Sequence, residues 1–215
     1  MRNIQKYIEH TNLKPTVTSN EIEKLVIEAQ ESELYGICVP PFWVKKAKRD
    51  IGKASIQLVT VIGFPLGYQM SQTKEAEMQQ AIQDGADELD LVINISAVKS
   101  EMIWPKIEIA KLGKIAHEHG KVLKVIIETA YLNNTEIVEL CKISADAGAD
   151  FVKTSTGFAP EGAKVEDILL MRKSLPEQVG IKASGGIKTY EQALALIEAG
   201  ADRIGTSNGP GLLKA

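Results

Sequence analysis

Three short joints in this chain are nearly the same: Asp84-Gly85-Ala86-Asp87, Ala147-Gly148-Ala149-Asp150 and Ala199-Gly200-Ala201-Asp202. In each, the glycine can take the left-handed conformation that ends a helix, and the aspartate stands just ahead of a short apolar run with strand character. A chain that passes from helix to strand through the same joint three times is assembled from repeated αβ units. That restricts its folds to those with a parallel sheet.

The remaining units follow the same grammar. Thr18-x-x-Glu21 has the capping-box spacing and opens a helix with Ile22, Leu25, Val26 and Ala29 on one face, a unit that Gly36 is expected to end. Ile37-Cys38-Val39 is a short buried strand stopped by Pro40-Pro41. Leu58 to Ile62 is a strand closed by Gly63-Phe64-Pro65-Leu66-Gly67 and followed by a helix from about Ser71 to Asp84. Leu89 to Ile93 is the next strand. A helix over roughly Glu101 to His119 is expected to bury Ile103, Ile107 and Ala110, and Gly120 stops it ahead of a strand at Val122 to Ile127. Asn133-x-x-Glu136 opens a further helix, and strands at Phe151, Ile181 and Arg203-Ile204-Gly205 join one near Tyr7 to Thr11. Eight strands with no hairpin signal favour a closed (β/α)8 TIM barrel. An open doubly wound sheet is the alternative, but it lacks its G-x-G-x-x-G fingerprint after an early strand.

At 215 residues one domain spanning 1–215 is expected. A net charge of −3, with basic residues scattered among acidic ones, excludes a nucleic-acid footprint. The start Met1-Arg2-Asn3-Ile4-Gln5-Lys6-Tyr7 has no apolar leader, and no run reaches membrane-spanning length, so a cytoplasmic protein without a membrane partner is expected. Cys38 and Cys141 show no paired spacing and read as small buried hydrophobes.

In such a barrel the working residues stand at the C-terminal ends of strands. Lys153, in Phe151-Val152-Lys153-Thr154-Ser155-Thr156-Gly157-Phe158, and Lys182, in Gly180-Ile181-Lys182-Ala183-Ser184-Gly185-Gly186, each close a short strand before a small-residue loop. Alternation puts Asp90 on a face with Val92 and Asn94, and Lys124 on a face with Ile126 and Glu128. Inward, these faces would hold lysines and carboxylates together, either as a structural ion cluster or as a reactive site. Two lysines in one pocket suggest amine chemistry. Bringing a lysine from about 10.4 toward neutrality costs about 4 kcal/mol, which a neighbouring ammonium and desolvation can supply for Schiff-base formation. Spacing alone does not say which lysine would be the nucleophile. Gly185-Gly186 and Gly205-Thr206-Ser207-Asn208-Gly209 follow adjacent strands where barrels commonly bind phosphate. A metal site is disfavoured: His117 and His119, two apart at a helix end, point different ways and read as solvated, while His10 stands alone.

His10-Thr11-Asn12-Leu13-Lys14-Pro15, Gly63-Phe64-Pro65-Leu66-Gly67, Asp87-Glu88-Leu89-Asp90, Lys124-Val125-Ile126-Ile127-Glu128-Thr129, Lys153-Thr154-Ser155-Thr156-Gly157-Phe158 and Lys182-Ala183-Ser184-Gly185-Gly186-Ile187 occur in that order. With them the chain resembles the deoxyribose-phosphate aldolase family from end to end. The resemblance implies a class I carbon–carbon lyase that needs neither metal nor other cofactor and acts in deoxyribose phosphate breakdown. Its reaction would be the reversible cleavage of 2-deoxy-D-ribose 5-phosphate into acetaldehyde and D-glyceraldehyde 3-phosphate. It further implies that Lys153 forms the Schiff base, Lys182 lowers the pKa of Lys153, and Asp90 relays protons. Phosphate contacts fall on Gly157, Gly185, Gly186, Gly205 and Ser207, and the sugar-hydroxyl contact falls on Thr156.

The chain departs from the family at four places. Glu9 stands where aspartate is frequent, Asn208 where serine is common, and Phe158 where some members have a lysine able to face the phosphate. The tyrosine-ended tail of the family is absent after Leu212-Leu213-Lys214-Ala215, so the proton step at the acetaldehyde carbon is expected to be slow. A transaldolase-like transferase and a non-catalytic sugar-phosphate-binding barrel are the competing readings, the latter opposed by the intact Asp90, Lys153 and Lys182. Homodimer and homotetramer both stay open.

Overall fold

The computed structural model describes residues 3–213. The expectations attached to Met1-Arg2 and to Lys214-Ala215 lie outside the described residues.

Eight parallel strands, Ile8–Thr11 (β1), Gly36–Val39 (β2), Gln57–Ile62 (β3), Glu88–Val92 (β4), Val122–Ile126 (β5), Phe151–Lys153 (β6), Gly180–Ser184 (β7) and Arg203–Thr206 (β8), pair in sequence order, and β8 pairs with β1 to close the barrel. Around it run Ser19–Glu31 (α1), Val44–Ile51 (α2), Ser71–Gln83 (α3), Ile95–Lys99 (α4), Trp104–Glu118 (α5), Asn134–Asp146 (α6), Val165–Ser174 (α7) and Tyr190–Glu198 (α8). The closed TIM barrel expected from the repeated units is therefore the fold, and the open sheet is not. Among the described residues no helix is long and apolar enough to cross a membrane.

The capping boxes at Thr18, Asn133 and Thr189 all form, each satisfying backbone N–H groups that the first helical turn leaves unpaired. At the repeated joints Gly85, Gly148 and Gly200 take φ of 103°, 90° and 117°. The aspartates there have a part that the sequence did not reveal. Asp87, Asp150 and Asp202 each donate a backbone N–H to the carbonyl of Leu58, Leu123 or Ile181 on the preceding strand. Their side chains accept that same residue's N–H at 3.0, 2.7 and 2.8 Å. Each joint thus fastens the lower end of one strand to the next and fixes their register.

Two expectations are corrected. Gly36 does not end the first helical unit: α1 stops at Glu31, Glu33 takes the left-handed turn at φ 51°, and Gly36 is the first residue of β2. A Cβ on Gly36 would stand 2.6 Å from the Gln57 carbonyl oxygen, which is why glycine is needed there. Nor does α5 bury Ile103, Ile107 and Ala110. Ile103 is 71% and Ile107 45% exposed, Ala110 faces solvent, and the buried face carries Pro105, Glu108, Ile109, Leu112, Gly113 and Ala116. A buried carboxylate at a core position disguised that face. Lys74 of α3 donates to Glu108 at 2.8 Å and to the Val92 carbonyl at 2.9 Å, and Ser71 donates to Glu108 at 2.6 Å. A buried charge is tolerable when it is paired and hydrogen-bonded in this way.

The main apolar core lies between the strands and the helices. A second, small cluster of Cys38, Val59 and Val61 sits apart from it, with Leu13 and Phe64 packed against it. Both cysteines are buried thiols, as expected, and burial pushes Cys38 up to about 11 and Cys141 up to about 12.

Candidate active site

Inward-facing side chains from β1, β4, β5, β6 and β7 fill the barrel with charge. Register makes Asp90 on β4 the neighbour of Lys124 on β5, and Lys153 on β6 the neighbour of Lys182 on β7. One oxygen of Asp90 accepts from both Lys153, at 2.8 Å, and Lys182, at 2.7 Å. Its other oxygen accepts from Lys124 at 2.9 Å. Lys182 also donates to Glu9, and Lys124 lies 2.5 Å from Glu88 and 3.6 Å from Glu9. Three lysines therefore face three carboxylates, and each of the six is buried.

These charges hold one another in place. Burial alone would push the Asp90 carboxyl up, but the ammoniums of Lys124, Lys153 and Lys182 outweigh it and hold Asp90 well below the usual carboxylate range. Burial would pull Lys124 down, yet Asp90, Glu9 and Glu88 raise it well above an ordinary lysine. Lys182 is likewise raised, by Asp90 and Glu9 against its own burial and against Lys124. Both remain ammoniums through neutral pH.

Above this cluster opens a cavity of about 530 Å³. Lys153 reaches its floor, whereas Lys182 is enclosed at 0% exposure and does not line it. Gly157, Gly185 and Gly186, at φ of 85°, 86° and 76°, form its rim with Thr156, Gly205 and Ser207. All nine residues singled out from the sequence are thus brought to one place: Asp90, Lys153 and Lys182 meet, and the other six line the cavity beside Lys153. Gly205 also makes room for the lysine beneath, since a Cβ there would lie 3.2 Å from Lys182 Cε.

Several neighbours of the site carry no clear signal in the sequence. Glu9 stands out in the sequence only as a departure from the family's aspartate, but it bridges Lys182 and Lys124. Alternation along β5 groups Lys124 with Ile126 and Glu128 but gives no sign of its partners Asp90 and Glu88 on β4. Glu88 followed an even less visible signal, since its partner Lys124 lies 36 residues on and meets it only through β4–β5 pairing. His10 lines the cavity, bonds Glu28 at 2.9 Å and accepts from the Gly209 N–H at 3.3 Å. His117 and His119 are exposed as expected, His117 beside Asp150 and His119 beside the Ile115 carbonyl. Phe158 packs edge-on against Phe64, with centroids 5.2 Å apart, and offers no charge, but Lys14, Lys24 and Lys188 also line the cavity. Asn208 is turned away, its amide donating to the Lys188 carbonyl at 3.0 Å.

A closed parallel barrel with a lysine at the floor of a glycine-rimmed cavity has the frame of a barrel enzyme with its working groups at the strand ends. Residues 4–213 match the model of the DeoC/LacD family aldolases, and the chain belongs to that family. The deoxyribose-phosphate aldolase of Thermococcus gammatolerans is 53% identical over 96% of this chain and 93% of the relative. Among solved structures, an aldolase described as QR15 superimposes with a TM-score of 0.94 at 43% identity, covering 99% of this chain and 95% of the other. The deoxyribose phosphate aldolase of Aeropyrum pernix, described as a unique tetramer, gives a TM-score of 0.92 at 33% identity, covering 98% and 89%.

Proposed function

We propose that this chain cleaves 2-deoxy-D-ribose 5-phosphate reversibly to acetaldehyde and D-glyceraldehyde 3-phosphate, through an imine on Lys153. The observation that carries this reading is that Lys153 is the lysine at the cavity floor, while Lys182, on the same Asp90 oxygen, is sealed beneath it as a fixed ammonium. Lys153, as the free amine, attacks the aldehyde carbon of the open-chain sugar, and water leaves to give the iminium. The C2–C3 bond then breaks. Its electrons move into the iminium to form an enamine, and the C3 hydroxyl loses its proton to the water and carboxylate around Asp90 as the aldehyde of glyceraldehyde 3-phosphate forms. Protonation of the enamine carbon and attack of water free acetaldehyde and regenerate Lys153. The iminium supplies the electron sink, so the cycle as written uses no metal or other cofactor.

Borohydride with acetaldehyde, followed by peptide mapping, tests this assignment. A reduced adduct on Lys153 is expected, and an adduct on Lys182 would reverse the two roles.

In the same reading the glycine rim and Ser207 hold the phosphate. Ser207 is exposed at the cavity edge, so Ser207→Glu should fold and place a like charge beside the phosphate. KM for the phosphorylated sugar is expected to rise about tenfold or more, with little change for unphosphorylated deoxyribose. An equal loss on both substrates would put the phosphate elsewhere. The tetrameric description of the Aeropyrum pernix relative, together with the exposed Met102, Ile103, Trp104 and Ile107, supports self-association of this chain as a homodimer or homotetramer. Sedimentation velocity reads that directly, and a monomer at micromolar concentration contradicts it.

A further inference from the structure

Among the described residues three that are not glycine have positive φ: Glu33, Glu101 and Glu128. The first two are exposed, whereas Glu128, at φ 55° and ψ 70° just past β5, is buried. A left-handed glutamate in a barrel interior persists only where its surroundings impose it. Here the Ile127 N–H donates to the Lys153 carbonyl at 3.0 Å and the Thr129 N–H to the Thr154 carbonyl at 2.9 Å. The backbone on both sides of Glu128 is thereby tied to β6 and its loop, and the turn between aims the carboxylate at Thr156. That carboxylate accepts the Thr156 N–H, at 3.2 and 3.3 Å to its two oxygens, and also the Thr156 hydroxyl. Burial pushes the Glu128 carboxyl up, against the pull of those two donors and of Lys153.

A hydroxyl has one proton to give and two lone pairs. Thr156 gives its proton to Glu128, and one lone pair accepts the Phe158 N–H at 3.1 Å. What remains is a single lone pair on a side chain that lines the same cavity as Lys153 and Gly157. We propose that Glu128 is a positioning residue that fixes the Thr156 hydroxyl as a hydrogen-bond acceptor, so that the site selects an acceptor aldehyde carrying a hydrogen-bond donor at C2. This rests on the imine at Lys153 and the phosphate at the glycine rim, because between those two points glyceraldehyde 3-phosphate offers one hydroxyl, on C2.

The test runs the reaction in the synthetic direction, with acetaldehyde as donor and two acceptors: D-glyceraldehyde 3-phosphate and its analogue with fluorine in place of the C2 hydroxyl. Fluorine is small and does not donate. Wild-type enzyme is expected to favour the hydroxyl compound in kcat/KM by about tenfold or more, beyond the ratio of the aldehydes' own reactivities. In Glu128→Gln, whose amide lets the Thr156 hydroxyl turn round, and in Glu128→Asn, which tolerates the left-handed backbone but is too short to reach, that preference should fall to about threefold or less. A residue that merely braced the loop would slow both acceptors equally and leave the ratio unmoved, which overturns the proposal. So does a wild-type enzyme with no preference, a measurement that needs no variant. Failure of the wild type to trap acetaldehyde on Lys153 would instead overturn the function on which the proposal rests.

Discussion

Lys153→Met is expected to abolish borohydride-trapped imine and to lower kcat by roughly 10⁴-fold or more, the scale on which covalent catalysts fail when the nucleophile is removed. The loss should not come from unfolding. Lys153 has a charge contact with Asp90, and that carboxylate keeps Lys124 and Lys182 when Lys153 is gone. Methionine has nearly the volume of the lysine stem and suits the floor of a cavity. Circular dichroism should therefore still show a folded barrel while turnover disappears, and the urea midpoint should fall only as far as the loss of one of the three cluster lysines requires, since Lys124 and Lys182 then face Glu9, Glu88 and Asp90 with one positive charge too few. Retention of more than about one hundredth of the activity, with the adduct moved to Lys182, would show that the enclosed lysine is the reactive one.

Asp90→Asn is expected to damage stability more than Lys153→Met does, because three lysines lose their shared partner instead of one carboxylate losing one of three. Asp90 accepts from all three lysines of the cluster, Lys124, Lys153 and Lys182. With an amide in its place, Lys124, Lys153 and Lys182 face Glu9 and Glu88 with one negative charge too few. Leaving a buried charge uncompensated in this way costs about 3 to 5 kcal/mol. Loss of the proton relay proposed for Asp90 should remove a further factor of about 10² to 10⁴ in rate.

The pH dependence separates this cause from a packing defect. Asp90 has its carboxyl held below the unfolded value by the three ammoniums, so its contribution to stability is present above about pH 4 and is lost as pH falls through the lower folded value. In that acid window the unfolded chain takes up a proton that the folded protein refuses. Lys124 and Lys182, both raised, contribute stability that is complete below about pH 10.4 and is lost at still higher pH. Urea midpoints measured from pH 3 to pH 8 are expected to show a smaller acid loss in Asp90→Asn than in the wild type. Parallel curves would mean that the carboxylate is not held by the lysines.

The fold was legible because its signals are local. Capping boxes at Thr18 and Asn133 and the glycines of the three αβ joints each act within a few residues of themselves, and each forms as the sequence indicates. The α5 face was misread for a non-local reason. Glu108 is buried because Lys74 lies opposite it on another helix, and no spacing within α5 announces that partner. Gly36 was misread likewise, since what forbids a side chain there is the Gln57 carbonyl across the β2–β3 pair.

The site divides in the same way. The residue types at the strand ends, Asp90, Lys153 and Lys182, with the glycines of the loops that follow, were fixed by the chain itself, because alternation along a strand needs only neighbouring residues. Closure of the barrel decided which of them meet. It brought Glu9 from the first strand onto Lys182 of the seventh, and it left Lys153 open to the cavity while sealing the other lysine. It also turned Glu128 inward against Thr156 through a backbone twist that the letters Ile127-Glu128-Thr129 do not betray. Charge pairing and solvent access depend on distances across the barrel, and those exist only once β1 and β8 have joined.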